Sequence, residues 1–162
     1  MVGIDESRAF CPVNIAILTI SDSRTLETDK SGQVLVNRLE AAGHRLMQRR
    51  VVRDDCEEIV AVLREWVANP EVDVVITTGG TGVTGRDVTP EALAQVWEKE
   101  IPGFGELFRR ISYEKIGLSA LQSRATAGVA QGTYVFALPG SSGACGDGWD
   151  EILRWQLDSR YR

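Results

Sequence analysis

The chain has 162 residues, a net charge of −5 at pH 7, 43% hydrophobic residues and 25% charged residues. This length and composition are typical of one soluble globular domain, which buries roughly 68–70% of its surface. The acidic charge and the lack of a basic run exclude nucleic acid as the expected main partner. The sequence contains no run of ~18 apolar residues, so no membrane-spanning helix is expected.

Residues 1–12 are predicted to form a loose N-terminal arm, followed by a single domain over residues 13–162. The arm has no apolar run preceded by positive charge, which a signal peptide requires. The three cysteines, Cys11, Cys56 and Cys145, are widely spaced, which predicts neither a disulfide framework nor a zinc site. We therefore expect a cytoplasmic protein with reduced thiols.

The first predicted strand, Asn14–Ile20, is almost continuously apolar. Such a run is typical of a central parallel strand that is covered on both faces. Ser21 and Asp22 follow its carboxyl end, where ligands bind in open α/β sheets. Asp22 is suited either to bind a ligand hydroxyl or a metal, or to cap the following loop.

A helix is predicted over residues 29–42, and a strand of mixed polarity, near the sheet edge, over residues 44–53. His44, the only histidine, is expected at the surface or at the edge of that strand. The next helix is expected to begin at Asp54 and Asp55. Their carboxylates are either helix caps or ligand-binding groups.

The most informative stretch runs from Thr77 to Asp87, after a third predicted strand over residues 72–76, and it contains four glycines. Glycine lets the backbone approach a ligand closely, and successive N–H groups in such a loop form a concave anion site. A helix is predicted to begin with Thr89 as its N-cap and Pro90 after it, which adds a partial positive charge. A phosphate site with a carboxylate at its rim predicts phosphate bound together with Mg²⁺.

The order of residues in this loop excludes two common phosphate motifs. No Gly-Lys-Ser or Gly-Lys-Thr follows the glycines, as a P-loop requires, and their spacing differs from that of a dinucleotide fingerprint. The alternative is a plain strand–helix connection, which often contains Gly, Thr and Pro.

The second half of the chain contributes further candidate walls. Residues 103–106 place two glycines and an acid around an aromatic, which is either a pocket wall or a helix-to-helix turn. Small residues over 119–130 permit close packing within or between subunits, and Arg124 among them suits either a phosphate or a surface salt bridge. A strand is predicted over residues 133–138, residues 139–143 follow its carboxyl end, and a closing helix completes the chain.

Strands and helices alternate from residue 14 onward, which predicts a three-layer α/β/α sandwich with a mostly parallel sheet. Three loops suited to ligands follow strand carboxyl ends, at residues 21–22, 77–87 and 139–143. We expect them to form one binding crevice, because the carboxyl ends of parallel strands meet at the same edge of a sheet.

The glycine loop continues as Arg86-Asp87-Val88-Thr89-Pro90-Glu91, and ordered matches occur at residues 18–22, 102–106, 123–125 and 139–141. Together these motifs resemble the MoaB/MogA family of molybdenum cofactor biosynthesis over nearly the whole chain. Residues 112–117 and 139–145 look most like the MoaB branch of that family.

The resemblance implies a molybdopterin adenylyltransferase, which uses Mg-ATP to convert molybdopterin to adenylyl-molybdopterin and releases pyrophosphate. The terminal phosphate of the pterin would attack the α-phosphorus of ATP. Catalysis would then rest on positioning and charge neutralisation rather than on a protein nucleophile. The resemblance also implies a homotrimer or a hexamer built from two trimers, with other proteins of the pathway as partners.

The same resemblance implies roles for individual residues. The catalytic and Mg²⁺-binding acids would be Asp87 and Asp54. The nucleotide and its phosphates would be bound by Ser21, Asp22, Gly79, Gly80, Thr81 and Gly82. The pterin would be bound by Gly103, Phe104, Gly105, Glu106, Ser123, Arg124, Gly140 and Ser141.

One departure from the family pattern keeps other functions open. Adenylyltransferases of the family usually carry Pro before the acid that matches Asp54, where this chain has Arg53. Some MoaB members lack adenylylation activity and have an altered acid-bearing loop, whereas Asp87 and its neighbours keep the active form. The alternatives are a non-catalytic molybdopterin carrier or scaffold of the same pathway, or another phosphate-ligand enzyme on this frame.

Overall fold

The computed structural model describes residues 2–162. Its strands are β1 (Asn14–Ile20), β2 (Arg45–Val52), β3 (Val74–Thr78), β4 (Lys99–Glu100), β5 (Thr126–Ala130) and β6 (Thr133–Leu138). They form one sheet in the order β2-β1-β3-β6-β5-β4. The first four strands in that order run parallel, while β5 and β4 are antiparallel to their neighbours. The predicted mostly parallel sheet is confirmed, with β2 at its edge.

Helices cover both faces of this sheet. They are α1 (Lys30–Ala41), α2 (Cys56–Ala68), α3 (Thr89–Ala94), α4 (Pro102–Ile116), a 3₁₀ helix (Gly117–Gln122), α5 (Ser142–Gly148), a π-helical turn (Trp149–Leu153) and α6 (Arg154–Gln156). Among residues 2–162, no helix has the length and apolarity needed to cross a bilayer.

The alternation of side chains along β1 explains the three layers. Ile15 and Ile17 point into a core shared with α1, α4 and α5, while Ala16 and Leu18 point into a second core shared with α2 and α3. All four side chains are fully buried. A strand that is buried on both faces exposes neither face to solvent, so its side chains form one continuous apolar run in the sequence.

Helix caps account for two of the acids singled out in the sequence. Asp29 accepts the N–H of Gly32 at 3.0 Å and caps α1, and Asp55 accepts the N–H of Glu58 at 3.0 Å and caps α2. The capping role considered for the Asp54–Asp55 pair therefore falls to Asp55 alone. This leaves the neighbouring Asp54 carboxylate available to the carboxyl edge of the sheet.

Several sequence predictions differ from the structure. The third strand begins at Val74, two residues later than predicted, and the short strand β4 was not predicted. Thr89 is already helical and donates its hydroxyl to the Gly79 carbonyl at 2.8 Å, so it does not act as the expected N-cap. The small residues over 119–130 form a 3₁₀ helix and strand β5, where Gly128 leaves room for the Trp97 ring.

The N-terminal residues lie against the C-terminal segment. Residues 2–12, predicted as a loose arm, are joined to it by hydrogen bonds from the N–H groups of Gly3 and Asp5 to the carbonyls of Arg162 and Arg160. His44 packs beside this contact and is buried, so the prediction of a surface position is wrong. Its Nδ1 accepts the N–H of Val13 at 3.2 Å. Burial lowers the pKa of His44, and the charge of Asp158 opposes this shift. The imidazole contributes to packing.

Candidate functional site

A crevice of about 530 Å³ opens at the carboxyl ends of β1, β3 and β6. The three loops predicted to meet do so here, and they are joined by a fourth wall from α4 and the 3₁₀ helix. Of the residues predicted for a ligand site, the crevice is lined by Ser21, Asp54, Gly79, Gly80, Thr81, Gly82, Asp87, Ser123, Gly140 and Ser141.

The glycines of the loop are required by close packing of backbone on backbone. Gly79 has a φ of +106°, and a Cβ on it would lie 2.2 Å from the carbonyl oxygen of Ile20. Gly80 has a φ of +70°, and a Cβ there would lie 2.2 Å from the hydroxyl of Thr89. Because an L-residue is strained in this conformation and has no space, only glycine lets the three loops converge.

Of the four N–H groups of residues 79–82, two are uncommitted. The N–H of Gly79 donates to the Leu138 carbonyl at 3.0 Å and extends the sheet pairing of β3 with β6. The N–H of Gly82 is directed at the carboxylate of Asp87. The N–H groups of Gly80 and Thr81 have no acceptor within residues 2–162. Such a pair of adjacent donors is suited to an anion.

Asp87 is held as a carboxylate at the edge of this loop. Its Oδ2 accepts the N–H and the hydroxyl of Thr84, at 2.9 and 2.8 Å. Burial alone would raise the pKa of Asp87, but the hydrogen bonds from Thr84 and Gly82 and the charge of Arg124 outweigh it and leave the pKa lowered. The side chain is therefore ionised at neutral pH.

The pKa of Asp54 is shifted in the opposite direction from that of Asp87. It is half-buried, and no group in the described part of the chain donates a hydrogen bond to its carboxylate. Burial raises the pKa of Asp54, the charges of Asp22 and Asp87 raise it further, and Arg86 opposes them. The crevice thus contains two carboxylates whose repulsion the protein does not fully compensate.

Asp22 lies at the rim, next to Asp54, and does not line the crevice. Its carboxylate accepts hydrogen bonds from Arg86, with Nε 3.0 Å from Oδ2 and Nη2 2.7 Å from Oδ1. These hydrogen bonds lower the pKa of Asp22. Asp22 also accepts the backbone N–H of Asp54 at 3.1 Å. The side chain predicted to contact the nucleotide instead links the first loop to the glycine loop.

Comparison with known proteins shows the family to which the chain belongs. A family profile described as "Probable molybdopterin binding domain" matches residues 16–159. Molybdenum cofactor biosynthesis protein B of Escherichia coli (strain K12) is 47% identical over 156 residues, which cover 96% of this chain and 92% of that protein. The chain belongs to the MoaB/MogA family of molybdenum cofactor biosynthesis proteins.

Two further matches bear on the branch within the MoaB/MogA family. Molybdenum cofactor biosynthesis protein B of Bacillus cereus is 53% identical over 146 residues, which cover 88% of this chain and 86% of the relative. A crystal structure of molybdenum cofactor biosynthesis protein B superposes with a TM-score of 0.89 at 48% identity, covering 93% of this chain and 94% of the other. The resemblance to the family and to its MoaB branch is confirmed.

Four of the residues that the MoaB/MogA resemblance assigns to pterin binding lie away from the crevice. Gly103 and Phe104 line a separate apolar cavity of about 290 Å³. Gly105 packs against the Ala125 carbonyl, and Glu106 is exposed on α4. None of these four residues lines the crevice. Residues 103–106 lie within the first turns of α4, which follows strand β4, so they are not the helix-to-helix turn that the sequence left open.

Arg124 also has a role different from the predicted one. Its guanidinium donates to the carbonyls of Gly82 and Asp87, at 2.7 and 2.8 Å, and pairs with Glu91. The side chain does not line the crevice but, with Glu91, lines a neighbouring cavity of about 610 Å³. Its hydrogen bonds hold the loop that carries Asp87.

Sequence reasoning missed residues on two walls of the crevice. They are Arg24, Ser31, Phe108, Ser112, Ser119 and Gln122. Helical spacing offered a signal for part of this set, because Phe108 and Ser112 are four residues apart and share one face of α4. The position of Ser31 had no comparable signal, since it depends on the fold of the loop before α1.

The residues present are compatible with Mg²⁺, which the MoaB/MogA resemblance implies. Within residues 2–162, no group of three or more His, Cys, Asp or Glu side chains is placed to share a metal ion. Asp54 and Asp87 nevertheless line one crevice, and each raises the negative potential there. Mg²⁺ commonly binds through one or two carboxylates and takes its other ligands from water and substrate phosphates.

Proposed function

We propose that this protein acts in molybdenum cofactor biosynthesis as a molybdopterin adenylyltransferase. It transfers AMP from Mg-ATP to molybdopterin and releases pyrophosphate. The observation that carries the proposal is the position of Asp54 and Asp87 beside the glycine loop, in one crevice. The MoaB/MogA membership supplies the pterin as the acceptor.

The glycine loop supports binding of the nucleotide phosphates. The free N–H groups of Gly80 and Thr81 donate to phosphate oxygens, and the fixed positions of these donors require no reorganisation on binding. The hydroxyl of Thr89 and the guanidinium of Arg124 hold the loop through the carbonyls of Gly79 and Gly82. A loop braced at both of these residues keeps the donors between them in fixed positions.

Asp54 and Asp87 support binding of a divalent cation together with those phosphates. The half-buried Asp54 carboxylate has a raised pKa because of burial and of the charges of Asp22 and Asp87. A cation between the carboxylates would remove that repulsion. When bound, Mg²⁺ supplies charge neutralisation at the transferring phosphorus. Asp87, whose pKa is lowered by its hydrogen bonds, is ionised for this role.

The reaction needs no covalent intermediate with the protein. An oxygen of the pterin phosphate forms a bond to the α-phosphorus of ATP, and the bond from that phosphorus to the bridging oxygen of pyrophosphate breaks. Cys145 lies under the crevice, where burial raises its pKa to about 11, so its thiol is not a nucleophile at neutral pH. The only histidine, His44, does not line the crevice. The residues of the chain then act by positioning the two substrates.

The test is release of pyrophosphate from Mg-ATP by the purified protein, with and without molybdopterin under anaerobic conditions. We expect pyrophosphate only when both substrates are present, and loss of turnover in Asp87→Asn. A matched control is Glu57→Gln, which removes an exposed carboxylate at the start of α2. The proposal fails if wild-type protein forms no pyrophosphate under conditions in which an active adenylyltransferase of the family turns over.

A non-catalytic molybdopterin carrier or scaffold is the second candidate function. Arg53, which stands where active relatives usually carry Pro, donates two hydrogen bonds to Glu58 and shapes the backbone before Asp54. Tight binding of molybdopterin without pyrophosphate release would favour this function. Binding of another nucleotide, without molybdopterin, would favour a different phosphate-ligand enzyme.

We also propose a cytoplasmic homotrimer or hexamer that works with other proteins of the pathway. Exposed apolar side chains are concentrated from the end of α4 through the 3₁₀ helix, where Leu118 is 80% and Leu121 84% exposed. Apolar surface of this kind is expected to be covered by another subunit. Sedimentation velocity of wild-type protein and of Leu121→Glu tests this, with a shift of the variant toward monomer expected.

A further inference from the structure

Three arginines border the crevice, and two are engaged by the protein itself. Arg86 pairs with both oxygens of Asp22. Arg124 is shared among Glu91 and the carbonyls of Gly82 and Asp87. Arg24 lines the crevice, and its guanidinium has no hydrogen-bond acceptor or ion-pair partner within residues 2–162. Its five N–H donors are thus open to a ligand.

The backbone around Arg24 is ordered by its own loop. The hydroxyl of Ser21 accepts the N–H of Arg24 at 3.2 Å and that of Ser23 at 3.3 Å. Thr28 accepts the N–H of Thr25 at 2.9 Å on the other side. The base of the arginine side chain is therefore fixed even though its tip is exposed.

Arg24 and the two carboxylates enter the crevice from different segments of the chain. Arg24 lies in the loop after β1, Asp54 lies just before α2, and Asp87 lies in the loop after β3. Ser31 and Ser141 line the crevice together with Arg24 and place hydroxyl-bearing side chains in the same wall.

We propose that Arg24 forms a second anion-binding subsite of the crevice, which takes a phosphate monoester of a substrate separately from the phosphates at the glycine loop. The inference rests on the proposed function in so far as that reaction joins two phosphate-bearing substrates. Arginine binds a phosphate through two parallel N–H···O bonds, which fix its orientation as well as its charge. Because the carboxylates of Asp54 and Asp87 line the same crevice, a cation such as Arg24 favours the acceptance of a second anionic group there.

The first measurement uses inorganic phosphate as the probe, titrated into the full chain by calorimetry. We expect Arg24→Gln to weaken binding by about 10-fold or more, as for loss of a hydrogen-bonded charge, and Arg24→Lys to recover part of it. The control is Arg64→Gln, because Arg64 is exposed on α2 and has no ion pair in the described structure. Equal binding by Arg24→Gln and wild type, or no phosphate binding by wild type, overturns the inference.

A second pair of titrations identifies the source of the phosphate. If Arg24→Gln loses affinity for molybdopterin and keeps affinity for Mg-ATP, the subsite holds the pterin phosphate, and the reverse result assigns it to the nucleotide. Unchanged affinity for both overturns the inference. The proposed adenylyl transfer is judged separately, by pyrophosphate release from wild-type protein, so either idea can fail while the other stands.

Discussion

The carboxylate of Asp22 accepts a hydrogen bond from the backbone N–H of Asp54 at 3.1 Å. The same carboxylate is held by Arg86 of the glycine loop. Two segments that are distant in the sequence, the loop after β1 and the start of α2, are thereby fixed to the loop that follows β3. The charge of Asp22 also adds to the raised pKa of Asp54.

Asp22→Asn is expected to lower the pKa of Asp54, because it removes a repelling charge and leaves Arg86 free to act on Asp54. If Asp54 must be ionised, activity is lost as pH falls through its pKa. The acidic limb of the pH–rate profile should then move to lower pH in the variant. Glu57→Gln, the exposed control, should leave it in place. A shift toward higher pH in Asp22→Asn would contradict the assignment.

Asp29→Asn is expected to destabilise the fold by about 3 kcal/mol at pH 7, since it leaves the largely buried guanidinium of Arg49 unpaired. Burial alone would raise the pKa of Asp29, but hydrogen bonds from Thr19, Gly32 and Arg49 leave it lowered. Its contribution is therefore present above the usual value of 3.8 and lost as pH falls through the folded pKa.

Urea denaturation of wild type and Asp29→Asn between pH 7 and pH 3 measures this difference. The two free energies of unfolding should converge toward acid pH. A gap that is independent of pH would show that the loss comes from packing rather than from the carboxylate charge.

Gly79→Ala is expected to destabilise the protein by about 2 kcal/mol or more, because the residue has a φ of +106° and its Cβ would clash with the Ile20 carbonyl. Gly85→Ala is the matched control. Gly85 lies in the same loop, has no positive φ, and a Cβ added to it would have no other atom within 4 Å. Chemical denaturation of the pair isolates the backbone requirement, and equal stability would refute it.

Arg124→Lys is expected to reduce kcat more than it raises KM for ATP. Lysine keeps the charge but cannot reproduce both bonds to the carbonyls of Gly82 and Asp87, so the carboxylate of Asp87 loses its fixed position. We expect a loss of unfolding free energy of about 1–2 kcal/mol. Arg64→Lys is the control, and a change confined to KM would instead indicate direct contact with the nucleotide.

β1, β6 and the glycine loop were predictable because their signals are local, whereas β4 and β5 were not predicted. β1 and β6 have the predicted bounds, since each is a continuous apolar run that ends at a polar residue or at Pro139. The loop after β3 can be recognised in the sequence from its glycines, which the backbone packing requires. The meeting of three loops followed from parallel strand topology alone.

The arginines and the face of α4 show what the sequence could not provide. The local sequence does not distinguish Arg124 from Arg24. In the structure, however, Arg124 is engaged by acceptors more than 30 positions away in the chain. Likewise, Phe104 and Phe108 share one face of α4, yet Phe108 lines the crevice and Phe104 a separate cavity, because different parts of the fold pack against successive turns of the helix. Contacts of this kind come from long-range pairing, which composition and periodicity do not encode.

The thiol of Cys145 directs its hydrogen at the hydroxyl of Thr78, 3.2 Å away, beneath Pro139. The floor of the crevice consequently offers no thiolate. Under the proposed function, a dithiolene guest would meet no nucleophilic sulfur at that floor, and alkylating reagents should modify the exposed Cys11 while leaving the buried Cys145 untouched.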